Sequence, residues 1–198
     1  VLPLTIFTKS FTIRENLCIQ ASPTPGKADP MERSSGILLP LFSLPSPYGI
    51  GTIGKEARKF ADYLKKSGQK IWQILPVGPT SYGDSPYQSF STFAGNPYFI
   101  DLETLIEDEL LTKEECDQAD FGENEEEIDY EKIYNARFKV LKLAYARAKK
   151  NGLMESKAYR TYLEEEKAWL ADYALYMAVK DSFDGKSWDQ WEEDIRLR

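Results

Sequence analysis

Residues 36–77 read GILLPLFSLPSPYGIGTIGKEARKFADYLKKSGQKIWQILPV, and their pattern sets the fold class. The opening GILLPL, 36–41, is a short apolar run that reads as a buried strand. FSLPSPYGIGTIG then turns the chain with two prolines and three glycines. From Lys55 the period changes. Ala57, Phe60, Ala61 and Leu64 fall at i, i+3, i+4 and i+7, one apolar stripe facing inward on a helix over 55–66. Gly54 stands at its start. Lys65 and Lys66 lie in its last turn, where positive charge suits the helix dipole, and Ser67-Gly68 ends it. IWQILPV, 71–77, is a second apolar run and a second buried strand. Strand, helix and strand within about 40 residues form a βαβ unit, whose crossover makes the two strands parallel. The fold class is α/β.

The chain then enters VGPTSYGDSPYQSFSTFAGNPYFID, residues 77–101. This stretch is too polar and too rich in Gly and Pro for a core, and too aromatic for an ordinary linker. Tyr82, Tyr87, Phe90, Phe93, Tyr98 and Phe99 interleave with Ser, Thr, Gln and Asn. A long loop at the end of a strand, stiffened by prolines and carrying flat amphipathic rings, suits a binding surface. Asp84 reads as a turn cap, and Gln88 and Asn96 as loop braces with buried amides.

Beyond the loop the sequence is helical and acidic. Asp101 is placed to cap a short helix through Ile106, and Thr112 and Glu115 have the spacing of a capping box. Residues 123–129 read as a solvated acidic loop; as a calcium site they lack regular ligand spacing. Asp129 precedes a helix over 130–150 with Tyr134, Phe138, Leu141 and Tyr145 as its stripe and Gly152 as its stop. Ser156 opens a further helical region to Phe183, closed by Gly185. Its Leu170, Tyr173, Ala174 and Met177 are read as packing residues. No third strand follows. Two parallel strands cannot cover both faces of a sheet, so the chain is expected to be the N-terminal piece of something larger.

Composition narrows the function classes. A net charge of −7 argues against nucleic acid as a partner. No apolar run reaches the roughly 20 residues of a membrane span. The chain has no histidine, which removes Ser-His-Asp and Cys-His catalysis and His-ligated metal from this span. No metal or organic cofactor is implied. Cys18 and Cys116 could form one bridge; a reduced pair in the cytoplasm is the preferred reading. Residues 1–30 lack a sustained helical period. They read as a disordered extension or as sequence upstream of a start at Met31, with a transit peptide as the alternative.

GILLPLFSLPSPYGIGTIGKEARKF, GQKIWQILPVGPTSYGDSPYQSFSTFAGNPYFIDL and WLADYALYMAVK together resemble the N-terminal part of the bacterial 4-α-glucanotransferases. These are the amylomaltases, or disproportionating enzymes, of glycoside hydrolase family 77. The resemblance runs from Glu32 to Arg198. It implies the N-terminal part of a (β/α)8 TIM barrel with a helical insertion after the second strand. Residues 31–101 would hold the first two barrel strands and the aromatic substrate loop, and residues 102–198 the mainly helical insertion. The loop then lies at the carboxyl end of a barrel strand, the face where such barrels build active sites. Where many members carry a histidine soon after the first strand, this chain has Pro40-Leu41-Phe42.

The family transfers 4-α-glucan segments between maltooligosaccharides by a retaining mechanism with two displacements. The resemblance implies an Asp nucleophile, a Glu acid/base and a second, stabilising Asp. None matches a position here, so no catalytic residue is assigned within residues 1–198, and the fragment alone is expected to be inactive. Three positions do match. Tyr87 corresponds to a tyrosine lining the donor site, Ser85 to a serine contacting sugar hydroxyls, and Tyr82 to an aromatic of a second, peripheral glucan site. The chemistry agrees: a pyranose has an apolar C–H face and a polar rim, and tyrosine offers a ring and a hydroxyl. Against these stand plainer readings. Tyr87 could pack on the barrel rim, and Ser85 could serve only its turn.

Three functions are compatible with the sequence. The first is an α-glucanotransferase of the cytoplasm, present as a fragment, acting on maltooligosaccharides and other α-1,4-glucans. The second is a glucan-binding module without turnover. The third is a helical interaction protein, for which SYGDSPYQS would have no use.

Overall fold

The computed structural model describes residues 33–80, 83–124 and 126–197. Two strands, β1 (Gly36–Leu38) and β2 (Ile71–Gln73), pair in parallel, with Gly36 opposite Ile71, Ile37 opposite Trp72 and Leu38 opposite Gln73. Helix α1 (Lys55–Lys66) connects them, the crossover expected from the sequence. It buries Ala57 and Leu64, and Phe60 meets Trp72 edge-on with ring centres 4.9 Å apart.

The strands are shorter than 36–41 and 71–77, and they are not buried. Pro40 has no N–H to continue the ladder, and the chain coils at once into a single turn, Leu41–Ser43. Two bonds prolong the pairing: the Leu39 N–H donates to the Gln73 carbonyl at 3.0 Å, and Trp72 Nε1 donates to the Leu39 carbonyl at 2.8 Å. Ile37, Leu38 and Ile71 remain 37%, 55% and 50% exposed. The sheet has two strands, and nothing among the described residues shields these side chains.

The helices follow their caps. The Asp101 carboxylate accepts from the Thr104 N–H at 2.9 Å and opens α2 (Leu102–Glu107). It also accepts from the Thr52 hydroxyl at 2.7 Å, tying the helix to the turn before α1. Thr112 and Glu115 form the expected reciprocal box at the start of α3 (Lys113–Asp117). Asp129 caps α4 (Tyr130–Lys150). Glu123, Asn124 and Glu126, in the acidic loop before it, are exposed.

The buried stripe of α4 is Ile133, Ala136, Arg137, Val140, Leu141, Ala144 and Ala148. Only Leu141 belongs to the aromatic stripe expected there, and Tyr134 is exposed. The small side chains at 136, 144 and 148 let the helix lie close to its neighbours, which turns the larger rings to its flank. The single helical region expected over 156–183 is two helices, α5 (Lys157–Glu165) and α6 (Leu170–Ser182), with Ser156 capping the first. A last turn, α7, spans Glu193–Arg196.

One apolar core joins Leu41, Tyr48 and Ile50 to Leu102, Leu105, Ile133 and Leu141, so the segments on both sides of the aromatic loop share it. Cys116 is a free thiol inside this core. Cys18 and the readings on residues 1–30 lie outside the described residues. Among the described residues no helix is long and apolar enough to cross a membrane.

Candidate functional site

The aromatic loop leaves β2 and returns to α2 through a closed neck. The Asn96 N–H donates to the Val77 carbonyl at 2.8 Å, and an isolated antiparallel bridge pairs Thr80 with Ser89. Gly78 permits this approach: a Cβ there would sit 2.5 Å from the Ser89 hydroxyl oxygen. At the tip Gly83 and Asp84 both take positive φ, +84° and +50°. Two successive left-handed residues reverse the chain, and Asp tolerates that geometry better than most side chains.

Asp84 is a turn residue, as the sequence suggested. Its carboxylate accepts from the Thr80 hydroxyl at 3.4 Å, and partial burial raises its pKa against that bond. Beneath it lies a void of about 10 Å³ whose polar lining includes Thr80, Asp84, Asn96, Tyr98 and Tyr130. That is room for roughly one water.

Ser85 serves its turn. Its carbonyl accepts from the Gln88 N–H at 3.0 Å, and its hydroxyl accepts a long bond from the Tyr87 N–H at 3.4 Å. The hydroxyl proton stays available to another acceptor. Tyr87 is 72% exposed, and no ring stacks on it among the described residues. Tyr82 lies outside the described residues.

The braces are only partly those expected. Asn96 is buried and its side chain accepts from the Tyr98 N–H at 2.9 Å. Gln88 is exposed, a correction to its reading as a buried amide. The bond that organises its turn runs through its backbone N–H, which leaves the side chain in solvent. The Ser91 hydroxyl takes the bracing part instead, accepting from the N–H groups of Phe93 and Ala94 at 3.3 and 3.0 Å.

Behind the loop stands a wall of rings. Tyr98 is buried with Tyr130 and Phe138 beside it, ring centres 6.4 and 6.1 Å away. Burial pushes the hydroxyl pKa of Tyr98 upward, so it stays a neutral donor. In front, the returning limb of the loop lies against α6: Phe90 stacks on Tyr173 and Phe93 on Trp169. Tyr173, a packing residue in the sequence reading, does pack, and its partner is a ring of the loop. No pattern in the chain links 169–173 to 90–93.

A groove of about 630 Å³ lies elsewhere, between α3 and α4, and shares no residue with the loop. It is lined by charged, amide and aliphatic groups and holds no aromatic ring. Two of its carboxylates are engaged, Glu115 with Arg147 and Asp120 with Lys132. It offers no surface on which a sugar ring could stack. Among the described residues no group of three or more His, Cys, Asp or Glu is arranged to hold a metal ion.

Comparison with known proteins bears on the loop. The family model for 4-alpha-glucanotransferase, glycoside hydrolase family 77, matches residues 39–198. The chain is 53% identical over 158 residues to a 4-alpha-glucanotransferase of Clostridium butyricum, covering 80% of this chain and 32% of that protein. It is 44% identical over 169 residues to the 4-alpha-glucanotransferase of Thermus thermophilus, covering 85% and 33%. The amylomaltase from Streptococcus agalactiae in complex with acarbose superposes with a TM-score of 0.74 at 42% identity, covering 82% of this chain and 32% of that one. The chain therefore spans about a third of the length of the relatives it matches.

Proposed function

The chain belongs to the 4-α-glucanotransferase family, and on that premise we propose that the whole protein transfers a 1,4-α-glucan segment between maltooligosaccharides. The reaction is a retaining double displacement. A carboxylate attacks the anomeric carbon, and the glycosidic oxygen leaves with a proton from a carboxylic acid. A sugar 4-hydroxyl then displaces the carboxylate and returns its proton to the same acid/base. These carboxylates belong to barrel strands outside residues 1–198.

The loop over residues 77–101 supplies one wall of the cleft. Tyr87 lies against the sugar face at the donor side, Ser85 donates its free hydroxyl proton to a sugar oxygen, and Tyr82 serves a more peripheral glucan contact. The observation that carries this reading is the 72% exposed ring of Tyr87 at the tip of a loop closed at its neck, in a chain of this family. The complex of the similar amylomaltase with acarbose supports a saccharide in the cleft. The exposed Ile37, Leu38 and Ile71 support a barrel whose remaining elements cover the two strands, with residues 102–198 inserted after the second. A reducing compartment such as the cytoplasm suits the free Cys116.

One observation favours a second reading for the chain taken alone, a glucan-binding wall without turnover. Asp84 is the only carboxylate in residues 77–100, and Thr80 engages it within the turn. Incubation with maltotriose separates the two. The full-length protein should release glucose and build longer maltooligosaccharides, while residues 1–198 alone should do neither. Glucose and maltose without longer products would refute transfer.

A further inference from the structure

The loop that carries Ser85 and Tyr87 is fixed at its neck, but its returning limb needs a second anchor, and the helical region provides one. Phe90 stacks on Tyr173 with ring centres 6.5 Å apart and planes 12° from parallel. Phe93 stacks on Trp169 at 5.8 Å and 19°. Trp169 and Tyr173 meet edge-on at 5.8 Å, one turn apart at the start of α6. Lys180 Nζ lies over the Phe90 ring, 4.8 Å from its centre. The indole is itself oriented, since Trp169 Nε1 donates to the Glu166 carboxylate at 2.6 Å.

We propose that Trp169 and Tyr173 are positioning residues for sugar binding, holding through Phe93 and Phe90 the loop that presents Tyr87. The inference rests on the proposed role of Tyr87 and adds what fixes it. Two residues separate Tyr87 from Phe90, so a shift of the Phe90 ring carries the tip with it. A ring that stacks on a pyranose gains affinity when it is already held in place, because the ordering cost does not fall on the binding step. The clasp joins two segments far apart in sequence. Phe93 stays 70% exposed although it stacks, so little apolar burial accompanies this contact. Loss of a positioning contact of this kind weakens substrate and transition state alike, which raises KM and spares kcat.

The test uses the full-length protein. Trp169→Ala and Tyr173→Ala should each raise KM for maltotriose about tenfold and change kcat less than about twofold. Trp169→Phe and Tyr173→Phe keep a ring and should restore KM. Without any substrate, hydrogen exchange at the amides of residues 85–93 should quicken in the alanine variants and not in the phenylalanine ones. A lower melting temperature with unchanged KM and unchanged exchange would make the rings structural only and overturn the proposal. If the alanine variants do not fold, Phe93→Ser breaks one stack from the exposed side and should give the same KM and exchange changes; neither change would overturn it. A higher KM in Phe93→Ser with unaltered loop exchange would mean that Phe93 touches the glucan itself, and would also overturn it. If Tyr87→Ala keeps full transfer activity while the clasp variants still loosen the loop, the role given to Tyr87 fails and the mechanical coupling stands.

Discussion

Arg137 of α4 lies wholly buried and donates from Nη2 to the carbonyl of Ile100, the residue at which the aromatic loop passes into α2. Its Nε and Nη1 have no hydrogen-bond partner among the described residues. Burial lowers its pKa to about 10, and the nearby Asp101 charge opposes that shift. The guanidinium thus pins the end of the aromatic loop while leaving two donors unmet.

Those opposing terms predict how Arg137 tolerates substitution. Arg137→Met removes the buried charge and both orphan donors and keeps most of the volume, at the cost of the Ile100 bond. Its stability should stay within about 1 kcal/mol of wild type. Arg137→Ala adds a cavity and should lose about 3 kcal/mol. Denaturant midpoints of the full-length protein check the order, and a methionine variant as weak as the alanine variant would contradict it.

Glu115 predicts an acid dependence. Arg147 donates to its carboxylate from both Nη atoms, at 3.0 and 2.7 Å, and the Thr112 N–H donates at 2.8 Å. These bonds lower its pKa to about 2. A folded-state pKa below the unfolded value contributes stability that is complete above the ordinary glutamate range and lost as pH falls toward about 2. Glu115→Gln lacks that contribution. The gap between wild type and variant should therefore be widest above pH 5 and close toward pH 2, as read from denaturation midpoints. A gap that grows with acid would reverse the sign and refute the assignment.

Gly51 predicts a steric limit. A Cβ there would fall against the carbonyl oxygen of Leu41 and within 2.7 Å of the Leu44 nitrogen, backbone atoms that cannot swing away. Gly95→Ala meets nothing within 4 Å. Gly51→Ala should cost about 3 kcal/mol and Gly95→Ala less than about 1 kcal/mol. Equal melting temperatures for the two variants would show that the 41–44 turn yields.

Much of the fold was legible because its signals are local. Gly54 and Ser67 bound α1 where the periodic stripe begins and stops, and Asp101, Thr112, Asp129 and Ser156 each cap the helix that the sequence placed after them. What failed depends on partners distant in sequence. The α4 stripe turns on which face the core admits, and alanine at 136, 144 and 148 carries little hydrophobic signal of its own. Strand burial failed because an apolar run records what a face needs, not whether the covering element is present. The loop was legible as a polar, aromatic segment through its composition. Its anchorage on Trp169 and Tyr173 was not, since contacts between residues 90–93 and 169–173 leave no periodic trace.

If Tyr87 lines a glucan cleft, full-length Tyr87→Ala must be slow in transfer from maltotriose. Its kcat/KM should lie at least about tenfold below wild type, equivalent to about 1.4 kcal/mol of transition-state stabilisation, with an unchanged melting temperature. Wild-type kcat/KM in a folded Tyr87→Ala protein would contradict it.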